Sequence, residues 1–395
     1  MEKTINEVFK NRTKTYGDRL AVEKKKTGAW ESASWNQYYE RASAVGLGLN
    51  QLGVEKGDRI AILSENCLEW VYSDLGALGI GAVVVPIYTT LVAEEVRYVL
   101  ENAEAKVLLL ENREQLDKAM TFVDEANSLK KIVCFDAAET GSHEAVISFA
   151  SLMASGREKM KEMPTLFAEL SDAVSAEDLA TIVYTSGTTG VPKGAMITHQ
   201  NIMAVIYALD RIQPKFGFET DQTVPFLPLS HVFERVAGHF YGMYVGLTAS
   251  YAESLDTFAQ DVKEKRPTVV LAVPRVCEKV YQRILSQVEE QPAWKQKVFH
   301  WGHAIGTEIS ALREQKKPIP LLLNLKFKVA YKMIFKNLAD ALGGRVRWMT
   351  ASGAPTSREI VLFFNAAGIT VIEGYGMTET CAPAAMSSLD DYKIG

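Results

Sequence analysis

The 395-residue sequence has no Cys-x-x-Cys pair, no uninterrupted apolar run of membrane-spanning length, no Gly-x-Ser-x-Gly and no large charge excess of either sign. Its four cysteines, Cys67, Cys134, Cys277 and Cys381, lie far apart, which argues against a disulfide frame or a thiolate zinc site and for reduced thiols in a cytoplasmic protein. The longest apolar stretch, 75–88, is broken by Gly76, Gly79, Gly81 and Pro86, whereas a bilayer crossing takes roughly 20 residues. The first ten residues mix charges and lack the apolar centre of a secretory signal, so export is not expected. A net charge of −5 gives no reason to expect a nucleic-acid partner. Without Gly-x-Ser-x-Gly there is no serine elbow for acyl transfer. His300 and His303 form a His-x-x-His with no carboxylate cluster nearby, a poor basis for zinc.

With 47% hydrophobic and 23% charged residues the chain has the usage of a globular protein, and its length exceeds one ordinary core of ~100 to 200 residues. Two α/β lobes are expected. In the first, expected strands at 59–64, 82–87, 106–110 and 131–135 alternate with helical patterns at 67–80, 92–103 and 114–129, the rhythm of a mostly parallel sheet flanked by helices. Residues 136–178 lack strand character and read as a lobe junction or a helical excursion. Strands at 181–185, 195–197, 224–227, 248–251, 268–273, 346–351 and 370–373 then alternate with helices at 199–209, 232–245 and 357–367 in a second lobe. The lobes are placed at about 50–178 and 179–380.

The strand at 181–185 runs into Thr185-Ser186-Gly187-Thr188-Thr189-Gly190-Val191-Pro192-Lys193-Gly194. Gly187 and Gly190 let consecutive backbone N–H groups converge on an anion, while Thr185, Ser186, Thr188 and Thr189 add hydroxyl donors and Lys193 a charge. A loop of this composition can be a mere connector, but the order of its residues suits a phosphate cradle. It is not a Walker loop, because Pro192 stands where that motif needs glycine and Gly194 where it needs Ser or Thr.

With its Pro-Lys-Gly ending, the stretch resembles the phosphate-binding signature of the adenylate-forming superfamily, which includes acyl-CoA synthetases, luciferases and peptide-synthetase adenylation domains. A second block, Glu373-Gly374-Tyr375-Gly376-Met377-Thr378-Glu379-Thr380, is similar to that superfamily's Tyr-Gly-x-Thr-Glu motif. The resemblance implies that Tyr375, between Gly374 and Gly376, flanks adenine, that Thr378 reaches the α-phosphate and that Glu379 holds Mg²⁺. A hard cation suits Glu379 with help from Thr185. Ala351-Ser352-Gly353-Ala354-Pro355 resembles the family's small-residue turn beside adenine, with room for ligand at Gly353, Ala354 and Pro355. The run at 226–235 looks like the motif that sets an aromatic ring or histidine beside the acyl carboxylate, which points to His231. Phe233, Glu234 and Arg235 stand where some fatty-acid members carry a gating tryptophan.

The helical stretch 275–345, the Phe-Glu-Arg after His231 and the run 345–355 resemble long-chain fatty-acid CoA ligases, a likeness spanning nearly the whole chain. It implies ATP-dependent activation of a fatty acid to an acyl-adenylate, with transfer to coenzyme A. The expected catalytic set is Lys193, His231, Thr378 and Glu379. The family's later Thr-Gly-Asp motif and mobile C-terminal domain do not occur before Gly395. The expectation is therefore a large domain without its last barrel portion and small domain, able to bind ATP and fatty acid but turning over poorly. An adenylating ligase for another acid and a non-catalytic nucleotide- or acyl-binding module remain the competing readings.

Within 275–345, Phe327, Ala330, Tyr331, Ile334, Phe335 and Leu338 fall on one helical face, and Lys328, Lys332 and Lys336 line another. Such a lysine edge is either an ordinary solvated surface or a docking face for anionic membrane. The protein is expected in the cytoplasm, with membrane contact only at the surface.

Overall fold

The computed structural model describes residues 1–136, 143–185 and 190–394. They form two compact units, one made of Met1–Ala208, Pro228–Gly246 and Thr378–Ala382, the other of Leu209–Leu227, Leu247–Met377 and Pro383–Gly395. The chain therefore does not divide near residue 178, because the next strand completes the first unit's sheet.

In the first unit, β1 (Leu20–Lys26) and β2 (Ala29–Ser34) form an antiparallel hairpin. The main sheet takes β3 (Arg59–Leu63), β4 (Val83–Ile87), β5 (Ala105–Leu110), β6 (Lys131–Cys134), β7 (Val146–Ser148), β8 (Leu179–Thr185) and β9 (Lys193–Thr198) in the order β7-β6-β5-β3-β4-β8-β9. Pairing is parallel except between β8 and β9. The sequences Arg-Ile-Ala-Ile-Leu and Val-Val-Val-Pro-Ile lack polar alternation, as befits strands buried on both faces, and their side chains are nearly all inaccessible. Ala61, Leu63, Val85, Ile87 and Leu108 pack with Val96, Val99 and Leu100 of the Ala93–Ala103 helix. Each such aliphatic side chain contributes ~1.5–3 kcal/mol by leaving water. The region 136–178, expected to lack a strand, contributes β7 to the sheet edge and is then helical over Phe149–Glu162 and Leu166–Asp172. Its first helix packs on the Trp35–Gln51 helix, where Gly156 faces the Ala44 carbonyl.

In the second unit, β10 (Gln222–Thr223) pairs in parallel with β11 (Thr248–Tyr251). β12 (Val269–Val270), β13 (Trp348–Thr350) and β14 (Thr370–Ile372) form a parallel sheet, and β15 (Gly374–Met377) pairs with β16 (Ala382–Met386). No strand forms at 224–227, where Pro225 has no N–H to give a ladder and β10 ends just before it, and the strand expected at 268–273 shortens to β12 where hydroxyls take backbone partners. Thr268 Oγ1 accepts the Gln222 N–H at 3.0 Å and Thr350 Oγ1 accepts the Ala272 N–H at 2.9 Å. Residues 274–341 are helical with short breaks. Their core is aromatic, with Phe363 against Tyr281 at 5.0 Å and Phe335 at 5.8 Å between ring centres. The helix expected over 114–129 stops at Met120, where Thr121 Oγ1 bonds back to the Lys118 carbonyl. The helix expected at 232–245 is π-helical over Phe233–Phe240 and α-helical over Tyr241–Val245.

Candidate active site

Thr185 and Lys193 are partners across the β8–β9 register, so the cradle is the connection of an antiparallel pair at the sheet's edge. Ser186, Gly187, Thr188 and Thr189 lie outside the described residues. Gly190 has φ +85°, a left-handed conformation that glycine enters without strain. The Pro192 carbonyl accepts the Tyr98 hydroxyl at 3.0 Å, which ties the loop's far end to the Ala93–Ala103 helix. Lys193 is exposed.

Beyond the C-terminal ends of the parallel strands β4 and β8, where open α/β sheets bind ligands, lies a cavity of about 350 Å³. Ile87, Val99 and Val183 make its apolar wall. Thr185, His231 and Thr378 bring polar groups into it. Segments far apart in sequence thus meet in one cavity of the first unit. Thr378–Thr380 forms a single 3₁₀ turn packed on β9, and it presents the Glu379 side chain to solvent. Among the described residues, no three His, Cys, Asp or Glu side chains cluster to hold a metal.

His231 is held by its backbone and its ring. Its N–H donates to the Pro228 carbonyl at 2.9 Å, and Nδ1 accepts the Phe233 N–H at 3.1 Å. With Nδ1 an acceptor, the neutral ring carries its proton on Nε2, leaving that nitrogen as a donor. Desolvation holds the ring's pKa below the ordinary imidazole value. The loop before it is pinned by Asn66, whose Oδ1 accepts the Leu229 N–H at 2.8 Å.

Sequence reasoning placed Glu234 and Arg235 in a run that departs from a tryptophan gate and resembles the long-chain ligases, gave neither a role, and passed over Asp74. Both Arg235 and Asp74 are buried. Arg235 Nε donates to Asp74 Oδ2 at 3.0 Å and Nη2 to Asp74 Oδ1, while Nη1 donates to Thr181 Oγ1 at 2.6 Å. Thr181 in turn donates to the Val84 carbonyl at 2.6 Å, so the network fastens β8 to β4 beneath the cavity. The signal available in the sequence was an aspartate inside the apolar helix Leu68–Gly79. Glu234 is also buried. Its Oε2 has no hydrogen-bond partner among the described residues, and burial pushes its pKa up to about 8.

In the second unit, the small-residue turn and the tyrosine block follow the adjacent parallel strands β13 and β14. Ala351 N–H donates to the Ile372 carbonyl at 2.9 Å. Gly353 has φ +94°, again a glycine conformation, and Gly353, Ala354 and Pro355 are exposed. A Cβ on Gly374 would stand 3.1 Å from Ser352 Oγ, so the two motifs lie side by side. Tyr375 and Gly376 are exposed.

The profile of the AMP-binding enzyme family matches residues 9–395. The chain belongs to that family. Among its curated relatives, the long-chain-fatty-acid–CoA ligase ACSBG2 of Xenopus laevis is 30% identical over 401 residues, covering 99% of this chain and 53% of that protein. The long-chain-fatty-acid–CoA ligase FadD15 of Mycobacterium tuberculosis is 32% identical over 383 residues, covering 93% of this chain and 59% of that one. The chain thus spans little more than half the length of these relatives. The inhibitor-bound N-terminal domain of FACL13 from Mycobacterium tuberculosis superposes with a TM-score of 0.68 at 21% identity, covering 98% of this chain and 79% of that one. The anthranilate CoA ligase AuaEII with anthranoyl-AMP gives 0.70 at 18%, covering 100% and 65%. These structures establish the large-domain fold of the adenylate-forming enzymes for this AMP-binding protein.

The remaining expectations resolve at the surface and in the helical core. His303 packs against Tyr281 and Phe363, with Nε2 3.4 Å from the Tyr281 hydroxyl. Of the face expected to be apolar, Phe327, Ala330, Phe335 and Leu338 are buried. The opposite face differs from a purely solvated edge. Leu321 is 83% and Met333 48% accessible, Leu322, Leu325 and Val329 are exposed with them, and Lys326, Lys328, Lys332 and Lys336 interleave. Among the described residues no helix is long and apolar enough to cross a membrane.

Proposed function

We propose that the protein activates a long-chain fatty acid with ATP to an acyl-adenylate and passes the acyl group to coenzyme A. The observation that carries this reading is the single cavity at the strand ends shared by Thr185 of the cradle, Thr378 of the tyrosine block and His231. In the first step a carboxylate oxygen bonds to the α-phosphorus and the bond to pyrophosphate breaks. In the second, the coenzyme A sulfur bonds to the acyl carbon, the thiol proton leaves and AMP departs.

Both partners of the first step are anions, so the site works chiefly by offsetting repulsion and fixing geometry. Lys193 meets the pyrophosphate side, where one charge pair at 4 Å is worth ~4 kcal/mol at an effective dielectric of 20. One carboxylate, Glu379, and one hydroxyl, Thr185, are hard oxygen donors that would hold Mg²⁺. When bound, Mg²⁺ neutralises triphosphate charge. His231 donates from Nε2 to the substrate carboxylate and orients it. In the second unit, Tyr375, Gly353, Ala354 and Pro355 are the residues that the resemblance assigns to adenine. The exposed Leu321–Met333 face with its lysines gives the protein peripheral contact with a membrane surface, where its substrate partitions.

ATP–pyrophosphate exchange across a panel of carboxylic acids, in the protein's natural full length, tests the proposal. Long-chain fatty acids should support the fastest exchange. Lys193→Ala and Glu379→Ala should each lower it by ~10²-fold or more, the effect of removing one preorganised charge. Preference for aryl or amino acids overturns the substrate, and unchanged exchange in both variants overturns the site.

A further inference from the structure

The second unit holds an apolar groove of about 770 Å³, within the ~300–1,000 Å³ range of small-molecule sites. It shares no lining residue with the cavity of Thr185, His231 and Thr378. Helices Phe258–Lys265, Pro274–Glu289, Ala293–Glu314 and Lys336–Ala341 wall it, with Met333 and Ile334 of the turn Tyr331–Phe335 and Phe363 of the Arg358–Ala366 helix. Phe299 and Leu338 form a buried floor, and Ile284 and Val288 rise from it half-buried. The charged residues along the lining are Lys263, Arg283 and Lys295, with amides from Gln287, Gln291 and Asn337 and no carboxylate. Lys263 and Arg283 are exposed and form no ion pair among the described residues. Lys295 donates to Gln291 Oε1 at 3.1 Å and lies over the Trp294 ring, 5.7 Å from its centre.

An apolar trough with a rim of one charge sign matches a molecule with one apolar chain and one anionic head. We infer that this groove binds a free long-chain carboxylic acid, its chain along Ile284, Val288, Phe299 and Leu338 and its carboxylate at Lys263, Arg283 and Lys295. Met333 belongs both to the groove lining and to the exposed apolar face of the Leu321–Ala330 helix and the turn after it, so the groove opens beside the surface assigned to the membrane. This second site rests on the ligase reading only for the choice of ligand, because the groove is built without any residue of the adenylation cavity.

Trp294, 62% accessible on the rim, is a local reporter. Dibrominated stearate should quench its fluorescence saturably, Trp294→Phe should remove that component, and the neutral methyl ester should bind at least tenfold more weakly. Affinity across saturated acids from decanoate to palmitate should rise by roughly fourfold per methylene until the trough is full. Val288→Trp should abolish the quenching. Because Val288→Trp fills a packed region, the double variant Lys263→Glu/Arg283→Glu, on exposed positions, should weaken the acid and leave the ester unchanged. ATP–pyrophosphate exchange in that charge variant should keep its rate at saturating fatty acid, which separates failure of this site from failure of the ligase proposal. Equal binding of acid and ester, or no quenching of Trp294, overturns the inference. So does light scattering that shows a dimer dissociated by Val288→Trp, since a second copy then fills the groove.

Discussion

Glu234 has a buried carboxylate whose Oε2 has no partner among the described residues, and desolvation in the π-helical segment after His231 sets its pKa at about 8. Below its unfolded value of 4.5 it is protonated in both states and adds no pH dependence. Between 4.5 and about 8 the unfolded chain releases the proton and the folded one keeps it. Stability therefore falls as pH rises through this window, by roughly 1.4 kcal/mol per unit, and levels off above it. Buried His239, whose pKa burial lowers to about 3, and His199, lowered to about 4, act in the opposite sense, losing stability as pH falls below the ordinary imidazole value. Glu234→Gln keeps both histidines, so the difference between the proteins isolates Glu234. Urea midpoints measured from pH 5 to pH 9 should decline more steeply for the parent, and the variant should gain most above pH 8. Parallel curves would show that the carboxylate is not desolvated. This is the scale at which the sequence was least readable. Phe-Glu-Arg could be compared with a tryptophan gate, but nothing local says that Arg235 reaches Asp74 and Thr181 while Oε2 of its neighbour Glu234 finds no partner among the described residues.

At the scale of elements, strands buried on both faces announced themselves. β3 and β4 lie inside the expected apolar runs, and β5 matches its run to within one residue, because no polar alternation was needed. Elements whose backbone groups are taken by side chains did not, as with β10 and β12 beside Thr268 and Thr350. The loop between β8 and β9 was singled out on its composition and residue order, and of it the structure describes Thr185 and 190–193. Its antiparallel setting was not legible, since the register of Thr185 with Lys193 depends on a loop whose direction composition leaves open. The basic helix shows the same limit. Periodicity found its buried face, while the exposed leucines at 321, 322 and 325 carried no weight until burial separated the faces. Apolar side chains interleaved with lysines suit the interface of an anionic bilayer, where each lysine adds about 1 kcal/mol. Changing Lys328, Lys332 and Lys336 to glutamate should cut co-sedimentation with anionic vesicles by roughly 100-fold or more. Leu321→Ser/Leu325→Ser should weaken it by loss of apolar insertion. Sedimentation unaffected by either change would return the helix to an ordinary solvated role.

For the molecule as a whole, length and alternation pointed to two lobes, but the division point depended on a contact that sequence does not display, the parallel pairing of β8 with β4. Each unit has its own core, one around the seven-stranded sheet and one around Phe299, Phe335 and Phe363. The cysteines report on these cores separately, Cys67 and Cys134 in the first and Cys277 in the second. Cys134 and Cys277 are inaccessible, and burial raises the thiol pKa of Cys277 to about 12 and that of Cys67 still further. Reaction needs the thiolate, so native labelling should be slow at all three and should require opening of the surrounding structure. The β12–β14 sheet has strands of two or three residues, whereas β3–β5 have five or six with nearly every side chain buried. Fewer ladder bonds and a more accessible helical shell should let the second unit open first. Pulsed alkylation through a urea gradient, read by peptide mass, should therefore modify Cys277 at a lower midpoint than Cys134. Coincident midpoints would mean that the chain unfolds as one cooperative body, with two cores but a single barrier between the native and open states.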